Sequence, residues 1–228
     1  MNQVVHTIAP DCYVRVSSVC FPARCFAGAL YGRGVTSDLD ERQRLLALIA
    51  DYCLDNGVGD LTLRSVGQAI GTNNRMLLYY FSSKENLIAE GLAEAVSRFP
   101  GIVGTLDFLD DHDQPLDVRL ENAWRALSAE MVPMRLFFEV FGLAAHHPGR
   151  FDNYLHIVGQ EWTDRVAKAL RADGVPNVDA RVLGREIVAL WRGLQFDLIS
   201  SGERRAIDAT YTAAARSIAE RAAALAVD

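Results

Sequence analysis

Arg64, Asn74, Arg75 and Lys84 are the residues whose types and spacing promise chemistry with a partner, and that chemistry is recognition. A guanidinium can grip guanine O6 and N7 through two parallel hydrogen bonds, and an amide can do the same at adenine N6 and N7. An ammonium holds a phosphate as a point charge. All four lie in T-L-R-S-V-G-Q-A-I-G-T-N-N-R-M-L-L-Y-Y-F-S-S-K-E-N-L, residues 62–87, and no acidic residue occurs from Thr62 through Lys84. Elsewhere acids outnumber bases, so this window is where an acidic chain can approach a polyanion.

Positioning those groups takes short helices. Thr62 stands before Leu63, Val66 and Ile70, an apolar stripe at helical spacing, and its hydroxyl can accept a bond from an orphan N–H of the first turn. Gly71 comes next, where a left-handed residue commonly ends a helix. Asn73 caps the next helix, whose inward face is Leu77, Tyr80 and Phe81 and whose outward face is Asn74, Arg75, Leu78 and Tyr79. Two helices about a tight turn with polar and aromatic residues on the outer face make a helix-turn-helix, a unit that seats its second helix in the DNA major groove. Upstream, Leu45, Leu48, Ile49, Tyr52 and Cys53 form a full helical stripe that stops near Asn56-Gly57. Downstream, Ser82-Ser83-Lys84-Glu85 reads as a capping box with Ser82 as the cap, opening a longer helix that ends at Phe99-Pro100-Gly101.

Three helices, the T-L-R-S-V-G-Q-A-I-G run, the Y-Y-F end of the second motif helix and the S-K-E-N-L after it resemble the TetR family of bacterial transcriptional repressors over roughly residues 40 to 92. The rest resembles the family only in helical pattern, length and order. The resemblance implies an all-α fold: a three-helix DNA-binding domain at the N-terminal end, then a helical effector-binding and dimerisation domain. It divides the chain into an extension over 1–37, expected to be disordered, a DNA-binding domain over 38–84 and a sensor over 85–228. It further implies that Asn74, Arg75, Leu78 and Arg64 face base edges, while Thr62, Tyr79, Tyr80 and Lys84 hold phosphates. For Tyr80 and Leu78 the plainer alternatives stay open, a core tyrosine and a tolerated surface leucine. The chain departs from the family where Thr72 stands for a common Val, Arg75 for a small residue and Leu78 for Tyr, which changes the expected operator and not the fold.

Composition is compatible with this reading without requiring it. The 228 residues carry a net charge of −6 and a hydrophobic fraction of 50%, enough for two cores. The charge argues against coating nucleic acid indiscriminately. No uncharged apolar run approaches membrane-spanning length and no secretory leader is recognisable, so a cytoplasmic location without membrane contact is expected. The five His are scattered, and neither a Gly-rich phosphate loop nor zincin spacing occurs, so no enzyme activity, cofactor or metal is expected. Within 1–37, Cys12, Cys20 and Cys25 lack the paired C-x2-C spacing of a zinc site, and three Arg against one Asp leave open a basic arm along DNA.

Beyond Pro100 the pattern is helical: about 115–130, a helix from Pro133 to His146-His147, about 150–172, then 178–200 and 203–226. The last two, one apolar on several faces and one rich in Ala, suggest pairing of two subunits through a four-helix bundle, as in the family; the plainer alternative is that both close the core of one subunit. Paired motif helices would then meet successive major grooves about 34–36 Å apart on an inverted-repeat operator. Trp124, Phe137, Phe141, Trp162 and Trp191 are candidates to line a pocket for a small apolar or amphipathic effector, with His156, Gln195 or Tyr154 orienting it. An aromatic at helical spacing is more often plain core. The rival to a ligand-released repressor is an all-helical ligand-binding or adaptor protein whose DNA head no longer functions.

Overall fold

The computed structural model describes residues 14–16, 19–21 and 34–226. At the start, β1 (Val14–Val16) pairs antiparallel with β2 (Val19–Phe21), Val16 opposite Val19. Cys12 and Cys25 lie outside the described residues, as does most of the basic arm considered above.

From Gly34 onward the described chain is built from helices and the turns between them: α1 (Gly34–Asn56), α2 (Leu63–Ala69), α3 (Asn74–Phe81), α4 (Lys84–Ser97), the single turn α5 (Pro100–Val103), α6 (Leu116–Ser128), α7 (Met131–His146), the short α8 (Asp152–His156), α9 (Trp162–Ala172), α10 (Asn177–Ser201) and α11 (Arg204–Ala226). The Asp-rich stretch after α5 is a 3-10 helix over Thr105–Asp110, not an open loop. The helix expected over 150–172 is interrupted. It begins as a 3-10 turn and α8, passes through a π-helical turn at Ile157–Glu161 and continues as α9. Widened turns of this kind insert one residue and rotate the downstream helix, so the apolar period read from sequence slips there.

The motif helices start and stop for identifiable reasons. Thr62 accepts from Ser65 N at 3.0 Å while Ser65 Oγ accepts from Thr62 N at 3.1 Å, a capping box built with serine. Asn73 Oδ1 accepts from Met76 N at 3.0 Å. Gly71 takes φ +73°, and Gly67 lets the turn close: a Cβ there would lie 3.0 Å from Thr72 O. The cap of α4 differs from expectation. Ser83 is the N-cap and accepts from Asn86 N at 3.0 Å, whereas Ser82 ends α3 with φ +66°. Two adjacent serines offered two registers, and α3 runs through Phe81 because that side chain is needed in the core, which leaves Ser82 to turn the chain.

Two apolar clusters fill the interior. One joins Leu45, Ile49, Cys53, Val66, Leu77, Phe81 and Leu87 of the head to Leu136, Val140 and Ala144 of α7 and Tyr154 of α8. The other joins Leu120 and Trp124 of α6, Val166 and Leu170 of α9, Ile187 and Trp191 of α10 and Tyr211 and Ile218 of α11. Close approaches fix both. Gly91 on α4 presses against Ile49 of α1, where an added Cβ would meet Cγ2 at 2.8 Å. Gly184 on α10 faces the backbone of α9, with Thr163 O at 3.0 Å and Ala167 N at 3.1 Å from an added Cβ.

Gly184 therefore separates helix propensity from packing. Gly184→Ala should cost about 1–3 kcal/mol because backbone cannot step aside. Gly142→Ala, on the exposed side of α7 with no atom within 4 Å of its added Cβ, should gain about 0.5–1 kcal/mol. Chemical denaturation of both variants checks the opposite signs; equal signs would refute the α9–α10 contact.

Candidate nucleic-acid interface

The head presents one surface built by α2, the turn and α3. Arg64 is exposed at the start of α2, and Asn74, Arg75, Leu78 and Tyr79 are exposed along α3, Tyr79 at 67%. Leu77 and Phe81 point the other way into the core. The division comes from helical spacing, since 74, 75, 78 and 79 share one side and 77 and 81 the other. Arg64, Arg75 and Lys84 make no ion pair among the described residues. Lys84 is half-buried at the first turn of α4, which follows α3.

The two tyrosines are tied to a residue outside the motif. Tyr80 OH donates to Asp38 Oδ1 at 2.6 Å, and Tyr79 OH donates to Asp38 Oδ2 at 3.3 Å. Their rings meet edge to face with centroids 4.9 Å apart. The bond to the Asp38 carboxylate, with burial and the nearby acids adding to it, pushes the Tyr80 phenol up to about 12, so its hydroxyl remains a donor. Tyr80 is half-buried, between the surface and core roles considered for it. Thr62 already spends its oxygen on capping α2. Sequence reasoning did not find Asp38, because its partners lie 41 and 42 residues away.

The residues proposed to line an effector site do not converge on one point. Trp124, Trp162, Trp191 and Gln195 belong to the cluster of α6, α9, α10 and α11 or pack beside it. The side-chain nitrogens of three of them are committed inside the protein: Trp124 Nε1 donates to Asp208 Oδ1 at 2.9 Å, Trp191 Nε1 to Tyr211 OH at 2.7 Å and Gln195 Nε2 to Leu127 O at 3.3 Å. Phe137 and Phe141 pack instead against the cluster of the head, α7 and α8. Tyr154 OH donates to Phe137 O at 3.2 Å. His156 is exposed, its Nε2 4.0 Å from Glu161 Oε1.

The head and the rest of the chain touch through a few polar ties as well as through core. Glu139 Oε2 on α7 accepts from Val58 N at 2.6 Å, in the loop after α1. Arg150 Nη1 donates to Glu85 Oε1 of α4 at 3.1 Å. Arg98 at the end of α4 pairs with Asp51 and donates to Ala47 O at 2.9 Å, and Arg42 of α1 pairs with Glu90 of α4. Buried Cys53 is a poor nucleophile, since burial, with the Glu139 charge behind it, pushes its thiol up to about 12.

No protein-family model and no curated protein sequence matches the chain. Solved structures do. The multidrug binding protein EbrR, complexed with imidazole, is 22% identical with a TM-score of 0.62, over 85% of this chain and 97% of that one. A transcriptional regulator from Rhodococcus sp. Rha1 is 18% identical with a TM-score of 0.61, over 78% of this chain and 96% of that one. BioQ with its double-stranded DNA operator is 18% identical with a TM-score of 0.52, over 77% of this chain and 98% of that one. What these identities establish is architecture: the chain has the all-α fold of these proteins, a helix-turn-helix head followed by a larger helical part.

Proposed function

We propose that the protein is a sequence-specific DNA-binding transcriptional regulator of the TetR type, a homodimer that represses from an inverted-repeat operator and is released by a small apolar or amphipathic ligand. The observation that carries this reading is the outer face of α3, where Asn74, Arg75, Leu78 and Tyr79 stand exposed over a fully buried Leu77 and Phe81. Side chains at that face reach base edges when α3 lies in a major groove. Asn74 and Arg75 supply paired hydrogen-bonding groups for adenine and guanine, and Leu78 supplies an apolar contact for a thymine methyl. Arg64 adds a base-edge contact, and Lys84 holds a phosphate. Thr62, Tyr79 and Tyr80 join it in setting register only by exchanging their bonds to Ser65 and Asp38 for bonds to phosphate. The likeness to BioQ, whose structure holds a DNA operator, and to EbrR, whose structure holds a small molecule, supports both halves of the reading.

Pairing through α10 and α11 is supported by what those helices leave uncovered. Val178, Val182 and Phe196 of α10 are 73%, 62% and 61% exposed. Ala206, Ala209, Ala213, Ala223 and Ala224 are exposed on α11. Small residues let helices approach closely, and large apolar ones left in water favour association. In this arrangement two heads face one side of DNA, and a ligand that prefers the conformer with misaligned heads lowers operator affinity by its differential binding energy.

Selection of bound duplexes from a random pool should recover an inverted repeat, with affinity falling steeply as salt rises. A protein with no salt-sensitive preference for any duplex would overturn the reading. On the selected site, Arg75→Ala should lose about 1–3 kcal/mol and relax one base position, whereas a uniform loss on all duplexes would make Arg75 a phosphate contact. Asp38→Asn should strengthen binding to every duplex by about three- to tenfold, because it removes a negative charge beside the phosphate-facing tyrosines. Unchanged affinity in a gel-shift titration would show that Asp38 does not oppose DNA.

A further inference from the structure

Arg192 is a cation without a counter-charge inside the larger part of the fold. It lies on α10 directly after Trp191, which is 1% exposed, and three residues before Gln195, which is 6% exposed. Arg192 is itself half-buried, and no carboxylate pairs with it among the described residues. The other buried or half-buried arginines of this part of the fold, Arg119, Arg165 and Arg204, each hold a carboxylate, whereas Arg135, Arg171, Arg185, Arg205 and Arg216, which hold none among the described residues, are exposed. Desolvation lowers the Arg192 guanidinium below its usual range, and the one opposing influence is the phenol of Tyr154 on α8. Burial in turn raises the Tyr154 phenol, which the Arg192 charge partly offsets. Tyr154 lies against Phe137 of α7, and the adjacent Phe138 meets Phe196, one turn beyond Arg192 on α10, so the two groups flank a seam along the aromatic side of α7.

That seam is lined by aromatic rings that keep part of their surface accessible. Phe137 and Phe138 of α7 meet edge to face at 5.2 Å, Phe137 stacks on Phe141 at 6.1 Å and tilts against Tyr154 at 6.2 Å. Phe138 reaches Phe196 of α10, one turn beyond Arg192, at 6.0 Å. Phe137, Phe138 and Phe141 are all half-buried. An apolar wall with one desolvated, unpaired guanidinium at its edge suits a molecule with a hydrocarbon body and one anionic end.

We propose that the effector is an amphipathic carboxylic acid whose carboxylate pairs with Arg192 beside Tyr154 and whose apolar part lies against Phe137, Phe138 and Phe141. This rests on the regulatory reading only for its effect on DNA; the binding itself does not. A guanidinium can donate to a carboxylate through two parallel bonds, and the partly dry surroundings that disfavour the lone cation favour the pair.

The test uses the full chain, with octanoate and octanamide as probes that share a hydrocarbon tail and differ in charge. Calorimetric titration should show octanoate binding at least about tenfold tighter than octanamide. Arg192→Gln should abolish that difference while leaving octanamide binding and the melting temperature as they are, and Arg192→Lys should restore part of it. Equal affinities in the wild type would overturn the proposal, as would an Arg192→Gln variant that keeps the preference. Loss of the dimer by light scattering in Arg192→Gln, with octanoate preference retained by what remains, would assign Arg192 to the subunit contact and overturn it too. Release of the selected duplex by octanoate is a separate readout: a protein that binds octanoate but no duplex keeps this site and loses the regulatory reading.

Discussion

The head does not close its own core. Leu45, Ile49, Val66, Leu77 and Phe81 share one continuous apolar cluster with Leu136 and Val140 of α7 and with Tyr154 and Val158 beyond it. A unit of about fifty residues buries too little surface to be comfortably stable alone, so the head borrows a wall from the larger part. The position of α1 through α3 therefore depends on where α7 lies, and α4 is the splint between them, held to α1 at Gly91 and by the Arg42 and Arg98 pairs. Any molecule that repacks α7 acts on the wall against which α2 and α3 are set.

The head was legible in the sequence because its determinants are local. A cap reads its partner three residues on, as Thr62 and Asn73 do, and a buried stripe reads out at helical spacing, as Leu77 and Phe81 do. Even here the one-residue shift from Ser82 to Ser83 depended on a core side chain, and the local pattern could not decide it. The Asp38 bonds to Tyr79 and Tyr80 were invisible for a different reason, being contacts across the whole head.

The larger helical part was legible as helices and not as a site. Residue type marked Trp124, Phe137, Phe141, Trp162 and Trp191 equally as candidates, yet the fold sorts them into two clusters. The side-chain nitrogens of Trp124, Trp191 and Gln195 are bonded within the protein, a matter of partners 84, 20 and 68 residues distant. The π-helical turn at Ile157–Glu161 added a slip in period that no propensity announces. Arg192 was passed over because it is one of several charges on α10, and a helix charge reads as a surface residue. Its missing counter-charge becomes visible only when the neighbours are in place.

Magnitudes decide how a signal could cross from the seam to α3. Coupling between two sites in regulated proteins is typically about 1–3 kcal/mol. The direct polar tie from α7 to the head, Glu139 to Val58 N, is one hydrogen bond to a charged group on an exposed side chain. Exposure brings such a bond toward about 1 kcal/mol, the floor of the range. The Arg150–Glu85 pair is a surface ion pair and adds less. The polar ties are thus too weak to carry the coupling by themselves. The shared apolar cluster is not, since an apolar side chain shifted out of a packed interior costs about 1–3 kcal/mol. The apolar part of an acid held at Arg192 would press on Phe137, whose helix also carries Leu136 and Val140 into the core of the head. Under the regulatory reading, packing of α7 transmits the signal, and the Glu139 bond serves to keep the loop after α1 in register with it.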